Sequence, residues 1–368
     1  MQGKESSKNC LPSLQRPMNK RELNIELKRW KTFYEEKGIG KDVYQVFLDY
    51  VKPLLQQDLP VIFDYNHLAG LLGLNPEFII RIINSPESYY REFEIPKRSG
   101  GKRKIIAPYD SLKYVQRWIL ENILCKVKVS GCAHGFLSQR SIVTNAAYHL
   151  KGKNLLKIDL KDFFPSIPKN YVIRVFQKLG YSYKVSVCLA CICCYDECLP
   201  QGAPTSPMLS NIVSRHLDNR LKGLAKKSGN IYTRYADDIA FSGDNITISF
   251  ATTVKKIVKE CGFQVNESKV RLYNANSSKI LTGLSLANGT LKLPRNTRRQ
   301  LEQELYYIKK YGLYAHINHN KIRNPRYLES MIGKLNFWLM VEPDNEFVKS
   351  AKNNLMYILK GKQLMLKG

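Results

Sequence analysis

Two β-forming runs, Ile-Tyr-Thr-Arg-Tyr and Ile-Ala-Phe-Ser, flank the tripeptide Ala-Asp-Asp within residues 231–242. The spacing predicts an antiparallel hairpin with two adjacent carboxylates, Asp237 and Asp238, at its tip. Neighbouring acids on so short a turn repel one another, and an Asp-Asp pair alone would be ordinary turn chemistry. A third acid changes the reading. Asp159 ends the apolar strand in "NLLKIDL", where a carboxylate is unfavourable unless a positive charge meets it. Adjacent antiparallel strands would bring these acids together as a site for a hard divalent cation. Magnesium suits such a site, because it takes one or two carboxylates and completes its octahedron with water and phosphate oxygens. Two such ions are the usual device for in-line phosphoryl displacement.

The charge balance points the same way. Lys and Arg number 58 against 31 Asp and Glu, a net charge of +27, and the basic residues run the length of the 368-residue chain. A polyanion, in practice nucleic acid, is the partner such a balance implies; the alternative is a basic protein that is merely soluble. No apolar run reaches the roughly 20 residues of a membrane span, and the polar start "MQGKESSKNC" does not read as a signal peptide. A cytoplasmic protein with no membrane partner is expected.

The length allows two or three subdomains. Residues 1–60 read as a helical N-terminal extension. "DYNHLAGLLGLNPEFIIRII" reads as a small pair of helices, "YYREFEIPKRSGGKRKIIAP" as two strands around a basic Gly-rich turn, and residues 110–127 as one long amphipathic helix. The middle third alternates: a strand, helices over 169–196, the loop "LPQGAPTSP", a helix over 207–226, then the hairpin. This is an α+β layer built on an antiparallel sheet. "ILTGLSLANGTLKLP" reads as a second hairpin, and Thr297 with Gln300 as a capping box opening a helical C-terminal region. Nine cysteines include the dense run "CLACICCYDEC". No second clip with zinc-site spacing follows it, so Cys188, Cys191, Cys193, Cys194 and Cys198 read as small core residues and no zinc is expected.

Four blocks in order resemble reverse transcriptases: "DLKDFF", "LPQGAPTSP", "YADD" and "GFQVNESK", within a stretch covering residues 85–300. "SIVTNAAYHL" carries the NAxxH pattern of bacterial retron enzymes, and "LTG" at 281–283 stands where those usually have VTG. The resemblance implies a right-hand polymerase. Residues 61–150 would form fingers with part of the palm, 151–289 the palm with a fingers insertion near 169–200, and 290–368 the thumb and RNA-recognition region.

It also implies roles. Asp159 and Asp237 would bind both magnesium ions, with Asp238 at the edge of the site and the Leu160 carbonyl a further ligand. Phe164 would be the steric gate that favours deoxynucleotides, with Phe163 beside it in the core. Gln201 and Gly202 would lie against the incoming nucleotide, and Arg103 would clamp its triphosphate, with Lys102 and Lys104 either helping or solvated. Lys269 would neutralise or protonate pyrophosphate, unless it serves only a salt bridge. Asn145 and His149 would support RNA or the palm. Arg295, Arg298 and Arg299 would grip a template–primer duplex through its phosphates; Tyr306, Tyr307 and Trp338 would either stack on bases or fill the core.

The implied activity is copying of part of a cognate noncoding RNA into branched multicopy single-stranded DNA. Synthesis would start from a guanosine 2′-hydroxyl and use dNTPs. A role in anti-phage defence beside a separate effector protein is implied too. Two alternatives stay open at this point: another bacterial reverse transcriptase, of the diversity-generating or abortive-infection type, and a catalytically silent RNA-binding scaffold.

Overall fold

The computed structural model describes residues 18–96, 100–287 and 289–365. Asn19 opens the first helix: its side chain accepts from the Arg21 and Glu22 amides while the Glu22 carboxylate accepts from the Asn19 amide. Helices α1 (Lys20–Glu36), α2 (Lys41–Gln56), α3 (Tyr65–Leu72) and α4 (Pro76–Asn84) follow one another. Strands β1 (Tyr90–Pro96) and β2 (Lys102–Pro108) then pair antiparallel, as the alternation and Gly-rich turn predict. Helix α5 (Asp110–Asn122) stops short of the expected residue 127, giving way to a 3₁₀ turn at Leu124–Lys126. Ile123 and Leu124 are buried all the same, so the apolar stripe runs on past the end of the helix.

After α6 (Ile142–Ala147), β3 (Asn154–Asp159), α7 (Lys169–Lys178) and α8 (Tyr183–Cys193), the expected helix 207–226 is two: α9 (Ser206–Val213) and α10 (Arg215–Lys227). The predicted hairpin is β4 (Ile231–Tyr235) and β5 (Asp238–Gly243), followed by α11 (Ile248–Glu260) and β6 (Arg271–Tyr273). These strands make an antiparallel sheet in the order β4-β5-β3-β6. The segment expected as one hairpin has three strands, β7 (Lys279–Leu281), β8 (Leu284–Ala287) and β9 (Thr290–Lys292). Thr282 and Gly283 of the LTG block make the two-residue turn between the first two; both have positive φ, 46° and 82°, which a primed turn requires.

Helices α12 (Arg295–Tyr311), α13 (Leu313–His319), α14 (Tyr327–Val341) and α15 (Glu346–Met365) complete the chain. The capping box expected at Thr297 is absent. Helix α12 opens at Arg295 after Pro294, whose carbonyl accepts from the Arg298 amide at 3.0 Å, so Thr297 already lies inside the first turn.

The four-stranded sheet is a wall between two cores, and strand alternation sorts its residues. Leu156, Ile158, Ile239 and Phe241 enter a core shared with α2–α5 and α7–α11, while Leu155 and Ala240 enter a second core shared with α12–α15. Leu281 and Leu284 belong to that second core, so in packing terms the C-terminal unit begins about ten residues before 290. Cys188, Cys193 and Cys194 are buried in the first core, where burial pushes the Cys188 and Cys193 thiols up to about 12. Among the described residues no helix is long and apolar enough to cross a membrane.

Candidate active site

Antiparallel register sets Asp159 of β3 directly opposite Asp238 of β5. Paired residues share a face, so both carboxylates stand on the side of the sheet that carries Leu155 and Ala240. Asp237 lies in the two-residue turn, and its carbonyl accepts from the Leu160 amide at 2.9 Å, which ties the turn to the end of β3. The Asp159 carbonyl in turn accepts from the Asn266 amide at 2.8 Å, and the Lys161 N–H donates to the Gln264 carbonyl, bringing in the segment that carries Lys269.

Each of two acids meets a lysine. Lys269 Nζ lies 3.0 Å from both oxygens of Asp159, and Lys157 Nζ lies 3.1 Å from Asp238 Oδ1. Asp237 has no such partner among the described residues. Burial first, then repulsion by Asp238 and Asp159, raises its carboxyl to about 6. Burial also raises Asp238, against the pull of Lys157. Carboxylates set side by side in this way have the chemistry to attract a cation, and the Lys269 ammonium already sits on Asp159. Among the described residues no group of three or more His, Cys, Asp or Glu side chains is placed to hold a metal ion; Asp159 and Asp238 are each paired with a lysine.

The hairpin is held from behind by a network that sequence reading missed. Arg234, on the opposite face of β4, is fully buried and forks onto Asp218 of α10, Nε to Oδ1 and Nη2 to Oδ2, both 2.7 Å. Its Nη1 donates to the Ala236 carbonyl of the turn at 3.2 Å and to Asn211 Oδ1 at 3.1 Å. Tyr232 Oη donates to the same Asp218 at 2.7 Å, and Asn211 Nδ2 donates to the Gly135 carbonyl. Ala236 itself has φ 56°, an uncommon conformation for a residue with a side chain. Gly135 must be glycine because an added Cβ would lie 2.6 Å from the Ala236 nitrogen. The signal in the sequence was an acid, Asp218, in the helical stripe of Leu221 and Ala225, and an arginine inside an apolar strand.

Asn145 and His149 are both 1% exposed, so of the two expected roles, support of RNA or of the palm, burial rules out direct RNA contact and favours support of the sheet. His149 instead bonds Ser242 Oγ through Nδ1 and Thr233 Oγ1 through Nε2, both 2.7 Å, so it buttresses both strands of the acidic hairpin. Burial depresses His149 to about 3 and, with help from Arg140, His134 to about 4. Unfolding lets both rings take protons at about 6.5. Their contribution to stability is therefore complete above pH 6.5 and is lost as pH falls toward 4 and 3. Each ring is expected to cost up to ~1.4 kcal/mol per pH unit across that window. Denaturant titrations at pH 7.5 and 5.5 check this, and an unchanged pH slope in His149→Gln would refute the assignment.

The loop 199–207 reaches β2. The Ile106 amide donates to the Gln201 carbonyl at 2.9 Å, and Gly202, at φ 143°, leaves no room for a Cβ, which would meet the Ile106 oxygen at 2.6 Å. Gly202→Ala is expected to destabilise by ~1–3 kcal/mol and to raise the KM for dNTP about tenfold; steady-state extension with varied dNTP reads it. Arg103 is exposed on β2 with no ion pair among the described residues, whereas Lys102 and Lys104 on the other face pair with Glu94 and Glu92. Those two lysines are therefore hairpin charges. Phe164 is half-buried beside Phe136, and Phe163 is 5% exposed, a core residue as expected. Arg295 and Arg299 are exposed on α12, while Arg298 leans on Glu302 at 3.6 Å. Trp338 is 1% exposed and donates to Glu342, a core residue and no stacking platform; Tyr306 and Tyr307 are exposed.

Residues 95–300 match the family model for reverse transcriptase (RNA-dependent DNA polymerase). The retron Ec86 reverse transcriptase of Escherichia coli is 34% identical over 254 residues, 68% of this chain and 79% of that relative. The chain belongs to the retron reverse transcriptases. The retron Mx65 reverse transcriptase of Myxococcus xanthus is 39% identical over 277 residues, 69% of this chain; the match spans 65% of that relative's length. Among solved structures, telomerase from Candida albicans in complex with a fragment of telomeric RNA matches 68% of this chain and 54% of that one, at 12% identity and a TM-score of 0.43. The retron reverse transcriptase fold is a right-hand α+β polymerase, with the antiparallel sheet as palm and a helical thumb after it.

Proposed function

We propose that this retron reverse transcriptase is an RNA-directed DNA polymerase that copies part of its cognate noncoding RNA into branched single-stranded DNA, starting from a guanosine 2′-hydroxyl. The observation that supports this most is the strand register that sets Asp159 opposite Asp238, with Asp237 in the adjoining turn and Lys269 on Asp159. Divalent cations, in this reading two magnesium ions, would neutralise charge on the triphosphate and on the attacking hydroxyl. Asp159 and Asp237, with the Leu160 carbonyl, would hold them, and Asp238 would stay at the edge, already engaged by Lys157. Lys269 would leave Asp159 and turn to the departing pyrophosphate. Phe164 would close the pocket against a 2′-hydroxyl, Gly202 would let the backbone approach the nucleotide, and Arg103 would take its phosphates.

In this reading residues 61–150 serve as fingers, the sheet and its helices as palm, and the segment from about 280 as thumb, where Arg295 and Arg299 meet duplex phosphates. A separate effector protein and a role in anti-phage defence complete the proposal.

The test is to purify the protein from cells that also carry its neighbouring genomic DNA, extract the bound nucleic acid and sequence it after RNase or DNase. One defined RNA joined covalently to DNA is the expected result, together with magnesium-dependent extension of an annealed primer. Heterogeneous RNA without DNA, and no extension, would overturn the proposal and leave an RNA-binding scaffold.

A further inference from the structure

Behind the palm, on the helical layer that covers the sheet face turned away from the acids, lies a half-open groove of about 1380 Å³. It is bounded by α7, the junction of α9 and α10, the end of α2, the end of α11 and residues 125–129. None of Asp159, Asp237, Asp238, Gln201, Gly202 or Lys269 lines it. Its floor is apolar, including Val175, Met208 and Phe263, each under 9% exposed.

Its rim is cationic. Five Lys or Arg residues line the groove against two carboxylates, and both carboxylates are engaged: Asp58 by Lys126 at 2.8 Å and Glu260 by Arg220 at 2.5 Å. Lys128, Arg174, Lys178 and Arg215 are exposed and have no ion pair among the described residues. Arg174 also lies over the ring of Tyr171, 5.9 Å from its centroid.

An apolar floor, an aromatic ring and a rim of unpaired cations are the elements that hold a single nucleic-acid strand, bases inward and phosphates outward. The volume takes roughly four nucleotides, the low end of single-strand sites, and is too small for an A-form duplex. We propose that this groove binds an unpaired segment of RNA, a second nucleic-acid site separate from the polymerase centre. The proposal goes beyond the polymerase reading and depends on it only for the expectation that RNA is the physiological strand.

The test uses the full chain and a 12-nucleotide oligouridine, with binding read by fluorescence anisotropy across a KCl series. In the variant Lys128→Ala, Arg174→Ala, Lys178→Ala, Arg215→Ala, the affinity at 0.1 M salt is expected to fall at least tenfold. The slope of log affinity against log salt should shrink by about 3, as loss of four phosphate contacts to a single strand requires. Extension of a short annealed template–primer should keep its wild-type rate. Arg174→Lys with Arg215→Lys, which keeps the charge, should bind as wild type, and Arg174→Glu alone should weaken binding. Unchanged oligouridine affinity and slope in the fourfold variant would overturn the proposal. So would loss of short-template extension, which would merge the groove with the catalytic centre, or a loss confined to binding of poly-glutamate, which would make it a protein-docking site. Failure of the wild type to extend any primer would count against the polymerase reading alone, because the binding readout needs no catalysis.

Discussion

Asp237→Asn is expected to lower primer extension by roughly a thousandfold, a barrier increase of about 4 kcal/mol, and to raise the melting temperature of the metal-free protein. The two effects have one origin. Asp237 is the site acid with no lysine ion pair among the described residues, and burial with repulsion by two neighbouring carboxylates raises it to about 6 despite the nearby Lys269 charge. Its folded pKa stands above the unfolded value near 3.9. The penalty for ionising it in the folded state therefore grows as pH rises from about 4 to 6 and is fully present at pH 7. Asparagine removes the charge and that penalty, worth about 1–2 kcal/mol once partial solvent contact is allowed for. The same charge is what a divalent cation would bind. Magnesium should then raise the melting temperature of wild type and leave Asp237→Asn nearly unmoved. Calorimetry with and without magnesium, beside extension rates, checks both halves; equal extension by the variant would sink the metal assignment.

Arg234→Met is expected to destabilise by about 3–5 kcal/mol, because it leaves the Asp218 carboxylate buried without a counter-charge. The pair is wholly enclosed and its geometry is a two-point fork at 2.7 Å, so solvent cannot take over. Removing both charges, in Arg234→Met with Asp218→Leu, should recover most of that loss, as it does when a buried ion pair is replaced by apolar residues of similar size. Extension should not recover with it. The Ala236 carbonyl and the Asn211 side chain still lose the guanidinium that holds them, and with it the turn that presents Asp237. A double variant that is as stable and as active as wild type would reduce the network to a packing element. Denaturant unfolding and extension kinetics on the same preparations separate these outcomes.

Much of the acidic end of the sheet could be read in the linear sequence because the features there are local. A hairpin tip, an acid at the end of an apolar strand and a glycine in a proline-rich loop each announce themselves within a few residues. Period-2 alternation even carries the face assignment, since Leu155, Lys157 and Asp159 must share one side of β3. Lysine and arginine were harder to read. Lys104 and Arg103 are neighbours with equal charge, yet only one has a glutamate across the strand pair to hold it.

The NAxxH block shows where local reasoning stopped. Its spacing placed Asn145 and His149 near each other, but whether that side met RNA or protein depended on the arrival of β4 and β5, some ninety residues later, with Thr233 and Ser242. The Arg234–Asp218 pair is hidden in the same way. A charged residue in an apolar stripe looks like an error in the pattern until tertiary packing brings its partner from another element, because ion pairing depends on distance in space and leaves no periodic mark on the chain. The groove behind the palm is the extreme case: five elements far apart in sequence contribute to it, and its charge is visible only after the two acids on its wall are seen to be engaged. The sequence alone determined most of the elements, the three acids and the strong positive charge, for these follow from periodicity, spacing and composition. Which cations stay unpaired among the described residues, which histidine is buried and which face carries the cationic groove were decided only when the sheet divided the two cores.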